Sequence, residues 1–147
     1  MDLSKVVSKV SEGTWCDIYM PDGQTLLFQF KMLSRDSDEC KITLAKNREK
    51  SRNKKGKVNS KVEEDENKDV IIACISAWRD PDKAVIDPKT KNLDLDNLKE
   101  VIYDGGKELV CNYLNKKRIL TDYGFVLRQA DNYIVDDNSF FLTVEPS

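Results

Sequence analysis

The 147-residue sequence contains no histidine. Histidine is the commonest general acid–base group of enzymes and a usual nitrogen ligand of zinc. Its absence excludes serine–histidine and cysteine–histidine nucleophiles and every metal site that uses imidazole. The sequence also lacks an evident pair of catalytic carboxylates and a glycine-rich phosphate-binding loop. We therefore predict that the protein is not an enzyme, has no catalytic residues and uses no cofactor.

Long apolar runs are also missing from the sequence. The longest, segment 70–78, is far shorter than the about 20 residues that cross a bilayer, and residues 1–10 lack the apolar core of a signal peptide. We expect a soluble, cytoplasmic protein with no membrane partner. In that compartment cysteines without CxxC spacing are expected to be reduced thiols, mostly in the core. They are Cys16, Cys40, Cys74 and Cys111.

The sequence has almost no net charge, although residues of like charge cluster locally. The net charge is −2 although 34% of the residues are charged, whereas nucleic-acid-binding domains are usually basic. Segment 46–61 could contact phosphates as a basic arm, but no aromatic residue within it offers a base a stacking surface. We favour a solvated segment without that role, either a flexible insertion over about 46–66 or a pair of helix ends. The basic arm comprises Lys46, Arg48, Lys50, Arg52, Lys54, Lys55, Lys57 and Lys61.

A calcium-binding loop is absent, although aspartates crowd segment 80–96. These residues lack the alternating spacing and the terminal glutamate of an EF-hand. We therefore predict no metal site. The residues considered are Asp80, Asp82, Asp87, Asp94 and Asp96.

The N-terminal third predicts a β-hairpin followed by a helix. Segments 15–20 and 25–32 are rich in aromatic and branched residues, and the Pro-Asp-Gly sequence at 21–23 is a turn signal. Alternation of apolar and polar residues in the second segment predicts one buried face. The hydroxyl of Ser34 or Ser37 can cap a helix that runs to about residue 50.

A second helix is predicted over 60–78. It begins with a Ser-x-x-Glu capping box, and its second half is apolar nearly all round, so it needs cover on several sides. We therefore predict that Ile71, Ile75 and Trp78 are core residues, and that Trp78 is less suited to an interface.

The remaining sequence predicts further helices and one small hairpin or ordered loop at 83–95. Helices are expected over 96–104, ended by the Gly105-Gly106 pair, over 107–116, and from Thr121 onward. The predicted fold class is thus α+β and mostly α-helical.

The predicted architecture is an N-terminal β-hairpin followed by a bundle of about four to five helices, in a single domain over 1–147. The apolar tail, 135–147, docks either on its own domain or on a partner. As the partner-binding residues of this tail we predict Phe140, Phe141 and Leu142.

The order of elements over roughly 28–114 resembles the tail assembly chaperones of long-tailed bacteriophages. The apolar segment 70–78 looks like a family helix that ends in tryptophan. The turn-rich, acidic stretch at 80–95 and the helix opening at 96–102 are similar to the loop and helix that come next in the family. Upstream, segment 28–33 precedes a charged helix, which also fits. Two features depart from the pattern, the long basic insertion and the N-terminal hairpin.

This resemblance implies a helper protein that is absent from the mature virion and works in the host bacterial cytoplasm. Such proteins bind the tape measure protein, keep it soluble and help to recruit subunits of the tail tube protein. It also implies possible self-association. Two alternatives stay open: a small nucleic-acid-binding accessory protein that uses segment 46–61, and a phage-encoded inhibitor of a host protein. An enzyme without a recognisable motif is a further, less favoured alternative.

Overall fold

The computed structural model describes residues 2–53 and 60–143, and their side chains outside 50–53, 60–64, 137 and 142–143. Four α-helices and nine short strands lie in that part of the chain. The helices are α1 (Asp38–Asn53), α2 (Ser60–Cys74), α3 (Tyr113–Asp122) and α4 (Gly124–Val135). The strands are β1 (Val6–Ser8), β2 (Thr14–Tyr19), β3 (Leu26–Met32), β4 (Ile75–Arg79), β5 (Val85–Ile86), β6 (Leu93–Asp94), β7 (Val101–Asp104), β8 (Lys107–Val110) and β9 (Phe141–Thr143).

The central sheet has the strand order β2-β3-β4, and its strands are antiparallel. Cys16 lies opposite Phe30, and Phe30 lies opposite Trp78, so the three side chains share one face. All three are buried. Helix α4 contacts β2 and β3, while α2 contacts α4 and β4. The hydrophobic core therefore lies between this face of the sheet and the two helices.

Three smaller antiparallel pairs surround the core: β1 with β9, β5 with β6, and β7 with β8. The pairing of β9 with β1 brings residues from the two ends of the chain together. Among the helices in the described residues, none combines the length and the apolar character needed to span a bilayer.

The predicted fold class, α+β and mostly α-helical, is wrong. The molecule is a mixed α/β structure whose strands form four antiparallel sheets, not a helical bundle behind a hairpin. The N-terminal hairpin itself is present as β2–β3, but β3 also pairs with β4, which belongs to the middle of the chain. The hairpin is therefore part of the core sheet.

The predicted helix over 60–78 ends at Cys74, and residues 75–79 continue as strand β4. A fully apolar run suits a buried strand as well as a buried helix, so periodicity alone does not separate them. Four of the five residues of β4 are buried, and only Ser76 is exposed. The strand is buried on both faces, which removes the alternation that would have identified it.

The predicted helices over 96–104 and 107–116 are also wrong in large part. Strands β7 and β8 form a hairpin whose two-residue turn is Gly105-Gly106, with φ angles of 57° and 81°. Positive φ at both positions is the signature of a tight hairpin turn, not of a helix end. Helix α3 starts only at Tyr113, where the Asn112 side chain accepts a hydrogen bond from the main-chain nitrogen of Asn115 at 2.9 Å.

The basic segment is partly helical. Helix α1 includes residues 46–53 and α2 includes residues 60–66, while 54–59 and the side chains of the predicted capping box lie outside the described residues. At the other end, Phe140 is 1% exposed and belongs to the core. The tail thus docks on its own chain up to residue 143, through the β1–β9 pair.

Candidate protein-binding groove

An apolar groove of about 210 Å³ opens where two hairpin tips meet the junction between α3 and α4. The β2–β3 hairpin, the end of β7 and the two helices each contribute one part of its wall. We refer to it as the apolar groove, and its lining residues are Met20, Leu27, Phe28, Ile102, Tyr103, Asp104, Ile119, Tyr123 and Phe125.

The turn at the β2–β3 tip fixes the first wall of the groove. The Asp22 carboxylate accepts hydrogen bonds from the main-chain nitrogens of Thr25 at 2.9 Å and Gln24 at 2.8 Å. These bonds stabilise the ionised form and lower the pKa of Asp22. Gly23, at φ 72°, completes the turn. Met20 therefore stands at a defined position, 38% exposed, at the mouth of the groove.

The α3–α4 junction forms the opposite wall. Tyr123 ends α3, because its main-chain nitrogen donates to the Ile119 carbonyl at 3.0 Å. Its own carbonyl accepts from the main-chain nitrogen of Val126 at 2.9 Å and so starts α4. The rings of Tyr123 and Phe125 meet edge to face, with centroids 6.2 Å apart. This geometry leaves the Tyr123 side chain 40% exposed toward the groove.

A charged cluster borders the groove on the side of β7. The Arg118 guanidinium forms an ion pair with Asp104, and its Nε lies 3.7 Å from an oxygen of Asp122. Exposed ion pairs contribute little to stability. The three side chains give the edge of the apolar groove both positive and negative charge.

The lining restricts what the groove can do chemically. Its titratable side chains are one aspartate, already paired with arginine, and two tyrosines. Its volume is below the roughly 300–1,000 Å³ of small-molecule pockets. The groove lacks an acid–base pair or a nucleophile among its described lining, and its apolar walls suit the side chains of another protein.

The predicted core residues are found in the core. Ile71, Ile75 and Trp78 are buried in the hydrophobic core, and none of them lines the apolar groove. The Trp78 indole Nε1 donates a hydrogen bond to the Leu109 carbonyl at 2.9 Å. Trp78 therefore connects the central sheet to the β7–β8 hairpin.

The predicted partner-binding residues of the tail are not presented together on the surface. Phe140 is buried against the Tyr133 ring, with centroids 5.5 Å apart, and Phe141 is half-buried. Leu142 pairs with Val7 through the backbone, and its side chain lies outside the described residues.

The structure describes only part of the predicted basic arm. Arg48 is exposed on α1, and Arg52 lies in the same helix. Lys54, Lys55 and Lys57 lie outside the described residues.

The cysteines do not form a metal-binding centre in the described part of the chain. Burial raises the pKa of Cys16 to about 12 and that of Cys111 to about 11, so little thiolate is present at neutral pH. No cluster of three or more potential metal ligands occurs among the residues described. The aspartates of segment 80–96 form no such cluster there.

Sequence reasoning did not identify the apolar groove. Its main contributors, Met20, Ile102 and Tyr123, are far apart in the sequence, and only the fold brings them together. A partial signal was available, because apolar residues flank the Pro-Asp-Gly turn and precede the Gly-Gly turn. Apolar side chains next to hairpin tips often lack cover from their own strand neighbours.

Comparison with known proteins returned no relative. No protein-family model, no curated protein and no solved structure matches this chain. The resemblance to tail assembly chaperones therefore has only the sequence features at 28–114 in its support. Two of its elements differ in the structure. The helix expected to end at Trp78 ends at Cys74 and is followed by β4, and the helix expected over 96–102 is a loop followed by β7.

Proposed function

We propose that this protein is a non-catalytic assembly factor that binds an apolar segment of a client protein in the apolar groove. The proposed client is a phage tape measure protein, and the proposed role is that of a tail assembly chaperone. It would work in the host cytoplasm, help to recruit tail tube subunits and be absent from the mature virion. The observation that carries the proposal is the apolar groove itself.

The exposure of the groove residues supports a binding role. Met20 and Tyr123 are large apolar or aromatic side chains that remain 38% and 40% exposed on opposite walls. Between them, Phe28 and Ile102 form a buried floor. A buried floor with exposed walls is the arrangement in which an inserted side chain loses most of its contact with water.

The dimensions of the groove favour a protein segment as its occupant. A volume of about 210 Å³ is small for a drug-sized ligand and sufficient for a few apolar side chains. An amphipathic helix presents such side chains at positions i, i+3 and i+4, and its polar face can meet the Arg118 cluster at the rim. A long helical client such as a tape measure protein offers many segments of this kind.

The sequence supports the chaperone role through residue types rather than element order. The tryptophan at 78 and the turn-rich acidic stretch after it are the features in which the chain resembles the family. A surface with both signs of charge also suits a helper that keeps an apolar client in solution.

Co-expression with the tape measure protein tests the proposal. A tagged wild-type chain should retain the client on an affinity resin and increase its soluble fraction. The double variant Met20→Ser, Tyr123→Ser should reduce affinity at least about tenfold, since a loss of about 1.4 kcal/mol already has that effect. Failure of the wild-type chain to retain or solubilise the client would refute the proposed function.

The matched control is the double variant Val85→Ser, Leu93→Ser on the β5–β6 hairpin. Val85 and Leu93 are 74% and 54% exposed and do not line the groove. This variant should bind the client as the wild type does. If it loses binding while the groove variant keeps it, the client docks on the β5–β6 hairpin and the groove assignment is wrong.

A further inference from the structure

Two cysteine side chains meet in the core where α1 begins and α2 ends. Cys40 lies in the first turn of α1, and Cys74 is the last residue of α2. Both are 0% exposed. Both side chains belong to the same core cluster, and each thiol is close enough to the other to perturb its pKa.

The segment that precedes α1 holds both cysteines in place. The Ser37 hydroxyl accepts a hydrogen bond from the main-chain nitrogen of Cys40 at 3.4 Å. The Ser34 carbonyl lies 4.0 Å from the Cys74 sulfur, and the Leu33 main-chain nitrogen donates to the Cys74 carbonyl at 2.7 Å. One short stretch, 33–37, thus bonds to the main chain of Cys40 and contacts the sulfur of Cys74, which brings the two residues into the same part of the core.

We propose that Cys40 and Cys74 form a reversible intramolecular disulfide when the protein meets a thiol oxidant of the small-disulfide class. Both S–H bonds break and one Sγ–Sγ bond forms. Two protons pass to solvent, and two electrons reduce the S–S bond of the oxidant to two thiols. In a reducing compartment the pair remains a dithiol.

The bond would link the start of α1 to the junction between α2 and β4. It would also close a loop over residues 41–73, which contains the whole basic segment 46–61. A cross-link of this kind restricts the unfolded chain more than the folded one, so the thermal midpoint should rise on oxidation. Both helix ends already contact the segment 33–37, so the bond would join two elements that lie in one part of the core.

The burial of the pair sets the rate of the reaction. Burial raises the pKa of both Cys40 and Cys74, so the attacking thiolate is scarce at neutral pH. Oxidation of the folded protein should therefore be slow and should accelerate as the pH rises. The rate rises with pH because the attacking thiol must first lose its proton.

Peptide mapping of the full chain tests the proposal. The protein is incubated with glutathione disulfide, its free thiols are blocked with iodoacetamide, and it is digested with trypsin without reduction. Each cysteine falls in its own peptide: 10–31, 36–41, 69–79 and 108–116. We expect 36–41 joined to 69–79 in monomeric protein, with two hydrogen atoms lost, and full reversal by dithiothreitol.

Two results would overturn the proposal. One is that peptides 36–41 and 69–79 stay fully alkylated while the peptide with Cys16 or Cys111 is oxidised. The other is that Cys40 or Cys74 carries glutathione and never bonds to its neighbour. The wild-type map decides the matter even if a variant fails to fold.

Variants add a second readout. Cys16→Ser with Cys111→Ser should keep both the cross-linked peptide and the upward shift of the thermal midpoint, while Cys40→Ala should lose both. A midpoint that rises equally in Cys40→Ala would show that another bond is responsible. Client binding plays no part in this test, so its outcome is independent of the proposed function.

Discussion

The Trp78 indole and the Leu109 carbonyl are joined by a hydrogen bond of 2.9 Å between two buried residues. The bond connects β4 of the central sheet to β8, and β8 pairs with the strand that carries Ile102 and Tyr103 into the apolar groove. Trp78 thus supports one wall of the groove from the core side. Its importance to the fold and to the proposed site comes from the same contact.

Replacement of Trp78 by phenylalanine should destabilise the protein by about 2–4 kcal/mol. The smaller ring leaves a cavity, and the Leu109 carbonyl loses its partner in a buried environment. Urea unfolding at equilibrium measures the change. Trp15→Phe is the control, because Trp15 is half-buried and its ring faces the Arg79 guanidinium at 3.7 Å, a contact that phenylalanine retains. Trp15→Phe should lower the free energy of unfolding by only about 1 kcal/mol. Equal destabilisation by the two substitutions would contradict the role of the hydrogen bond.

Replacement of Gly106 by alanine should cost about 1–2 kcal/mol through backbone strain alone. Its φ is 81°, and an added Cβ meets no atom within 4 Å. Gly13→Ala is the comparison, since φ is similar at 78° but the Cβ would lie 2.7 Å from the Met32 carbonyl oxygen. Gly13→Ala should therefore lose clearly more stability in thermal unfolding. Equal losses at the two positions would mean that strain, and not the clash, dominates.

Replacement of Phe140 by alanine should destabilise the protein by about 3–5 kcal/mol, because a buried aromatic ring leaves a large cavity. Val135→Ala, at a position 53% exposed, should change stability by less than about 0.5 kcal/mol. Urea unfolding separates the two variants. A Phe140→Ala protein of normal stability that no longer binds the client would instead support the tail as the binding surface.

The stability that Asp22 contributes should depend on pH. Its pKa is lowered in the folded protein by hydrogen bonds from Thr25 and Gln24. A group with a depressed folded pKa contributes stability above its unfolded pKa, and this contribution is lost as the pH falls through the folded value. The gap in urea midpoint between wild type and Asp22→Ala should therefore be full at neutral pH and shrink below the ordinary aspartate pKa of about 3.9. A gap that grows in acid would contradict the assignment.

Local signals are sufficient where turn chemistry determines the structure. The β2–β3 hairpin follows from the Pro-Asp-Gly turn and the alternating segment after it, and the β5–β6 hairpin follows from its turn residues. The Gly105-Gly106 pair carries the same kind of signal, yet two glycines also suit a helix end. Apolar residues near the pair fit helical spacing, so the local pattern favours the wrong one of the two structures.

Strand β4 and the apolar groove depend on tertiary structure. Residues 70–78 are almost entirely apolar, and only the pairing of Phe30 with Trp78 determines where the helix ends and the strand begins. The groove needs Met20, Ile102 and Tyr123 side by side, which no local pattern indicates. The core, by contrast, was predictable at Trp78, because a large apolar residue in the longest apolar run has to be covered.

Hydrogen–deuterium exchange, compared between the chain alone and its complex with the tape measure protein, shows whether the client occupies the apolar groove. If it does, exchange should slow in the complex at residues 20–27, 102–106 and 119–125 and stay unchanged at residues 85–93 and 139–143. Protection confined to 139–143 or to 85–93, with no change around the groove, would contradict the groove assignment.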